Sequence, residues 1–281
     1  MKRESLAIAL TLLFAPQTLP GQAPSGSERP VVSPQQTTLT QPAPAPRVRT
    51  PREDEELRAD LMMVRKQYAE AVPIYEQLIA QESRNAVLLN KLGIAYQQQA
   101  MLDQAKRCYE RAAKVDKTYA NAYNNIGTVH YQRRKYGKAI RAYKKALEIR
   151  PDMAPVHSNL GYAYFAQRHY DEALAAFYRA LELDPTVFER AHRGGSLLQN
   201  RSVDDPGLFN FLLAKSFAAM GNAERCAHYL RKARDEGYKG LAAARTDPAF
   251  AKVINDPGVQ EILQLTPPPG DKPPAPFSPG S

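Results

Sequence analysis

The sequence is poor in the residues that most often carry chemistry or covalent cross-links. Two cysteines, Cys108 and Cys226, exclude a disulfide-stapled scaffold and a four-cysteine zinc site within one chain. There is no tryptophan, and the five histidines are scattered, with no second ligand at metal-binding spacing on one helix face. No G-x-S-x-G, phosphate-binding loop, G-x-G-x-x-G or H-E-x-x-H occurs, so neither an enzyme nor a cofactor is expected. Proline is scarce where it matters. Of 23 prolines, 9 lie in 1–51 and 7 in 266–281, which leaves 7 for the long middle. The middle is therefore the part that folds, and both ends read as extended linkers.

What is present begins with a basic start, Lys2 and Arg3, and an apolar run from Leu6 to Ala15 closed by Pro16 and Pro20. Ten apolar residues would span about 15 Å as a helix, half the hydrocarbon thickness of a bilayer. Residues 1–23 read as a secretion signal, which implies an exported protein, periplasmic or secreted, with no membrane span beyond that signal. Residues 24–51 follow as a proline-rich linker and 266–281 as a similar tail.

The middle repeats itself. Gly93, Gly127 and Gly161 stand 34 residues apart, as do Ala71, Ala105, Ala139 and Ala173, and Tyr75, Tyr109, Tyr143 and Phe177. Leu78, Ala112, Ala146 and Ala180 keep the same step, and so do Pro151 and Pro185. Tyr123, Ile126, Gly127 and His130 occupy one face of a helix, and Ala139, Tyr143 and Ala146 one face of a second. Each unit is thus a helix–turn–helix in which glycine and alanine allow the helices to cross closely. One pair cannot bury its apolar face alone, so neighbours must stack.

This pattern resembles the tetratricopeptide repeat (TPR). Its L-G-x-x-Y, A-x-x-x-F/Y-x-x-A and P positions are met by Leu160, Gly161, Tyr164, Ala173, Phe177, Ala180 and Pro185. The resemblance implies an all-α, right-handed superhelical solenoid. It predicts repeats at 52–85 (degenerate, with Ala59 for glycine and Pro73 inside its second helix), 86–119, 120–153 and 154–187. An irregular insert at 188–206, a divergent unit at 207–240 and short capping helices in 241–265 complete the reading. Asp205-Pro206, Asp247-Pro248 and Asp256-Pro257 each look like a helix start.

In this family the first helices of the pairs line a concave groove, so the resemblance implies a non-enzymatic scaffold that takes a peptide or protein partner. The groove positions are Asn90, Lys91, Asn121, Asn124, Asn125, Tyr131, Asn159, Tyr162 and Phe165, amides that could bond an extended backbone flanked by aromatic pockets. A second reading has Asn125 and Asn159 bridge neighbouring repeats. The other conspicuous feature is charge. Arg133, Arg134, Lys135, Lys138, Arg141, Lys144, Lys145 and Arg150 face only Glu148 and Asp152, most of them on the turn and second helix. An alternative function is therefore an envelope assembly factor whose basic convex face binds anionic polymer or lipid. Export argues against nucleic acid as the partner.

Overall fold

The computed structural model describes residues 49–189 and 203–264. The signal, nearly all of the proline-rich linker, residues 190–202 of the insert and the C-terminal tail lie outside the described residues.

Eight helices form four consecutive pairs. They are α1 (Pro51–Val64) with α2 (Tyr68–Gln81), α3 (Ala86–Gln98) with α4 (Leu102–Val115), α5 (Ala120–Gln132) with α6 (Tyr136–Ile149), and α7 (Ala154–Ala166) with α8 (Tyr170–Leu183). A further pair, α9 (Pro206–Ala219) and α10 (Ala223–Asp235), follows. Two 3-10 turns (Lys239–Arg245 and Pro248–Phe250) and α11 (Pro257–Gln264) close the chain. No strand occurs among the described residues.

The 34-residue register is a packing register. Ala71, Ala105, Ala139 and Ala173 are fully buried, as are Tyr109, Tyr143 and Phe177. The glycines do something more specific than let two backbones approach. A methyl group on Gly93, Gly127 or Gly161 would lie 2.5 Å from Tyr109, 2.6 Å from Tyr143 and 2.4 Å from Phe177 respectively. In each of these pairs the aromatic ring of the second helix lies flat over the glycine of the first.

Every intra-pair turn has the same geometry. Lys66, Ala100, Arg134 and Arg168 take φ of 61°, 61°, 57° and 62°, and Gly221 takes 78°. The amide after each of them bonds a carbonyl five residues back, as in Gln67 N to Met62 O (2.9 Å) and Lys135 N to His130 O (2.9 Å). This is a Schellman closure built four times on a residue other than glycine.

The linker boundary moves by two residues: Thr50 and Glu53 form a capping box, and Pro51 is already the first helical residue. Pro73 lies beyond the first turn of α2, yet the helix continues through it. Pro73 and Ala69, whose carbonyl loses its partner, are both exposed, so water can take the bond. Where Lys117 stands in place of proline, Asp116 accepts from the amide (2.8 Å) and hydroxyl (2.6 Å) of Thr118 and fixes the turn instead. Asp205, Asp247 and Asp256 each accept amide bonds from the turn that follows. α11 then buries Val259, Ile262 and Leu263 at the C-terminal end of the stack.

Gly127→Val should overlap the Tyr143 ring and destabilise the fold by about 2–3 kcal/mol, the range for overpacking a core. Urea unfolding followed by circular dichroism measures it, and a loss below about 0.5 kcal/mol would show that the ring-on-glycine contact is dispensable.

Candidate functional site

The amides singled out above form a ladder that crosses from one repeat to the next. Asn125 Nδ2 donates to Asn90 Oδ1 at 2.8 Å, and Asn159 Nδ2 to Asn124 Oδ1 at 3.0 Å. Lys91 Nζ makes the same step in charged form, reaching Glu56 Oε1 at 2.8 Å and Asp60 Oδ2 at 2.7 Å. The two amide rungs and the Lys91–Glu56 bond link residues 35 apart, and the Lys91–Asp60 bond residues 31 apart. Asn124 Nδ2 joins the two amide rungs through Asn125 Oδ1 at 3.0 Å. Burial alone would lower the Lys91 pKa, but the bonds from Asp60 and Glu56 outweigh it and hold the ammonium above its usual range. Asn121 accepts from Arg150 at 3.3 Å on the surface.

The aromatic candidates are turned inward. Tyr162 is 7% exposed, with its ring stacked on Phe209 of α9 at 5.2 Å and edge-on to Phe177 at 5.7 Å. Phe165, 5% exposed, packs against Tyr170 and Phe209. Tyr162 is therefore a core residue and not an open pocket. α9 settles on α7 and α8 through Phe209, and the groove face of α7 is what it covers. Tyr131 is likewise buried, edge-on to Tyr136 at 5.2 Å.

A concavity does exist nearby, and two of the expected residues reach it. It has a volume of about 380 Å³ and lies between the turns of the third and fourth pairs and the start of α9. Its wall is made of equivalent positions one repeat apart: Tyr131 and Phe165, Arg134 and Arg168, Tyr136 and Tyr170. Asp204, Asp205 and Leu208 form the opposite side. Arg134 and Arg168, both exposed, have no ion pair among the described residues. The arginines project from the left-handed turn residues, so the backbone closure that ends α5 and α7 also sets their positions. Arg134 is thus a wall residue of this cavity and not part of the convex charge. Arg168, Tyr136 and Tyr170 were not singled out in the sequence, although their 34-residue step is visible there.

Among the described residues no group of three His, Cys, Asp or Glu side chains could hold a metal ion. Both cysteines are free and buried, and burial pushes the Cys108 thiol up to about 11 and the Cys226 thiol up to about 12. Thiols so far above neutral pH are poor nucleophiles. No described helix is long and apolar enough to cross a membrane.

The tetratricopeptide repeat family profile matches residues 84–152 and again 118–186. The chain carries tetratricopeptide repeats. Tetratricopeptide-repeat proteins are in general non-enzymatic scaffolds for protein interaction. Among solved structures, MamA from residue 41 onward of Desulfovibrio magneticus RS-1 is similar at 16% identity, with 66% of this chain and 94% of that one covered and a TM-score of 0.47. YrrB, described as a TPR protein with an unusual peptide-binding site, is similar at 20% identity, with coverage of 65% and 84% and a TM-score of 0.44. No curated protein matches the sequence.

Within the repeats one aromatic position is irregular. Tyr96 and Tyr164 have His130 between them, and its Nδ1 is buried without a partner. Burial first, then Lys106 and Lys138, hold His130 below its ordinary 6.5. Below that value the unfolded chain takes up a proton that the folded one resists, so stability must fall as pH falls. His130→Tyr should raise the melting temperature, and more so at pH 5.5 than at pH 7.5; an equal shift at both would remove the titration argument. Asn125→Ala, which strands the buried Asn90 carbonyl, should cost about 1–2 kcal/mol, whereas Asn121→Ala should cost less than about 0.5 kcal/mol, both read from urea unfolding.

Proposed function

We propose that this chain is a scaffold that captures a protein partner by an extended peptide segment, anchored in the cavity between the turns of the third and fourth repeats. One observation carries the reading: the cavity is lined by three residue pairs at one-repeat spacing, two of them aromatic and one of arginines, which face Asp204 and Asp205 across a site of mixed charge. Such a wall suits an apolar side chain beside a carboxylate, because the rings supply area while the guanidinium forks supply planar, charge-assisted hydrogen bonds. From there the peptide runs over the surface of α5 and α3, past Asn121, Asn124, Asn125, Lys91 and Asn90. In this reading the ladder amides stiffen the groove floor and only their remaining hydrogen-bonding capacity meets the ligand. Tyr131 and Phe165 act from the cavity floor, while Tyr162 and Asn159 act by holding α9 and the ladder in place.

The same proposal locates the scaffold outside the cytosol, in a cell envelope. Its support is the basic start and apolar run of residues 1–23, read from the sequence.

A second reading has its own support. Residues 102–150 contain 13 lysines and arginines against 4 acidic residues, an excess equal to the whole chain's net charge of +9. Arg107, Arg111, Lys138 and Arg141 are exposed and form no ion pair among the described residues. This is the face that would hold an anionic polymer or lipid surface.

One experiment separates the two. Photo-crosslinking from position 167, beside the cavity and exposed, in the host should capture a partner. Arg134→Ser with Arg168→Ser should reduce capture at least tenfold, whereas Arg107→Ser with Arg141→Ser should not. Raising salt from 0.1 to 0.5 M should leave cavity-based capture within a few-fold, because a buried apolar anchor is screened far less than exposed charges. Capture that survives the cavity variant but fails with the other pair, or in salt, would replace the first reading by the second.

A further inference from the structure

Three of the five large exposed hydrophobic side chains among the described residues lie on α1: Leu57 (37%), Leu61 (48%) and Val64 (80%). They recur at i, i+4 and i+7, a stripe along one side of the helix. Beside them is a shallow depression of about 350 Å³ formed by Asp54, Leu57, Arg58, Leu61, Met62 and Arg65, with Gln67 at its end. In α3 the equivalent face is not bare. Leu88 and Leu92 are buried in one apolar cluster with Tyr75 and Leu78 of α2, and Lys91 reaches back to α1. Among the described residues no helix pair precedes α1 to play that part.

The charges at the two ends of this face point to the occupant: Asp54 and Arg65 are opposite in sign and lie either side of a midpoint between Ala59 and Asp60, so the face complements an inverted copy of itself. An antiparallel copy of the same helix, related by a two-fold axis at that point, sets Leu57 against Met62 and Leu61 against the stem of Arg58. It also sets Asp54 against Arg65 at both ends. Asp54, Arg58 and Arg65 have no ion pair within the chain among the described residues, so their charges are available. We propose that this face is a self-complementary interface through which two copies of the chain associate head to head across α1. A two-fold contact is isologous, so it closes at a dimer and does not propagate. The helix is only about 21 Å long, so the interface is small and the dimer weak, with a dissociation constant of tens of micromolar.

Sedimentation velocity of the full chain between about 1 and 300 µM tests this. The wild type should pass from monomer to dimer over that range. Leu61→Glu should remain monomeric. Asp54→Arg and Arg65→Asp should each weaken association about tenfold by placing like charges together, and the double reversal should return to within about threefold of wild type. Circular dichroism on every variant confirms that helicity is kept. A monomer at all concentrations overturns the proposal, and so does a double reversal as weak as the singles. Association that ignores Leu61→Glu overturns it equally, because a different surface would then be responsible.

Discussion

An aromatic ring lying on a glycine is the contact on which the rest of this structure depends. In the second, third and fourth pairs, the ring of Tyr109, Tyr143 or Phe177 occupies space that any side chain on Gly93, Gly127 or Gly161 would take. The ring is large enough to fix the distance and rotation between the two helices of a pair. Its own buried hydroxyl must then be satisfied. Tyr75 donates to Asp60 at 2.6 Å and Tyr109 to Gln97 at 2.7 Å, while Tyr143 approaches Thr128 Oγ1 at 3.4 Å. Where the fourth pair has Phe177 no such partner is needed, and the equivalent of Asp60 and Thr128 is the ring of Tyr162. The polar residues of the first helices are therefore determined by the aromatic residue of the second. What looks like groove decoration is partly the satisfaction of a buried phenol.

The repeat was legible because its determinants recur in register, 34 residues apart, and a sequence can be slid against itself to find them. The ladder between repeats was legible only as composition. Its amide rungs join residues 35 apart, so the donor and acceptor are different positions of the repeat, and no in-register comparison pairs Asn125 with Asn90. The left-handed turn residues were invisible for another reason. Lys66, Ala100, Arg134 and Arg168 carry none of the glycine signal that usually marks such a conformation, and each departs from right-handed geometry at a cost of roughly 1–2 kcal/mol. The two-bond closure that follows each of them, identical in four pairs, is what holds the conformation.

The inward packing of Tyr162 and Phe165, which the sequence did not show, has a related origin. Their exposure depends on α9, and the register linking α9 to the earlier repeats is interrupted between 188 and 205. Counting by 34 from Val156 leads into that interruption and never reaches Phe209. Phe209 nonetheless occupies the equivalent position in the fifth pair and fills the same inter-repeat core as Val156, Ala122 and Leu88. A phenylalanine there, much larger than alanine or valine, gathers Tyr162, Phe165, Phe177 and Phe188 around itself.

The two ends of the stack consequently differ in kind. Toward the C-terminus, the fourth pair is joined to the fifth by aromatic contacts, and α11 with the two 3-10 turns buries Phe250, Val253 and Ile262 as a lid on the last pair. Toward the N-terminus the joints become polar, with Asn125 to Asn90 and then Lys91 to Glu56 and Asp60. The outermost helix keeps Leu57, Leu61 and Val64 in solvent. In a quasi-linear array, stability is close to a sum of unit and nearest-neighbour interface terms. A unit with one neighbour and a polar joint is the one that opens first, and covering its outer face adds an interface term exactly where the sum is smallest. The first pair carries both a charged joint and the exposed Leu57, Leu61 and Val64, so association across α1 would stabilise the fold as well as couple two binding sites.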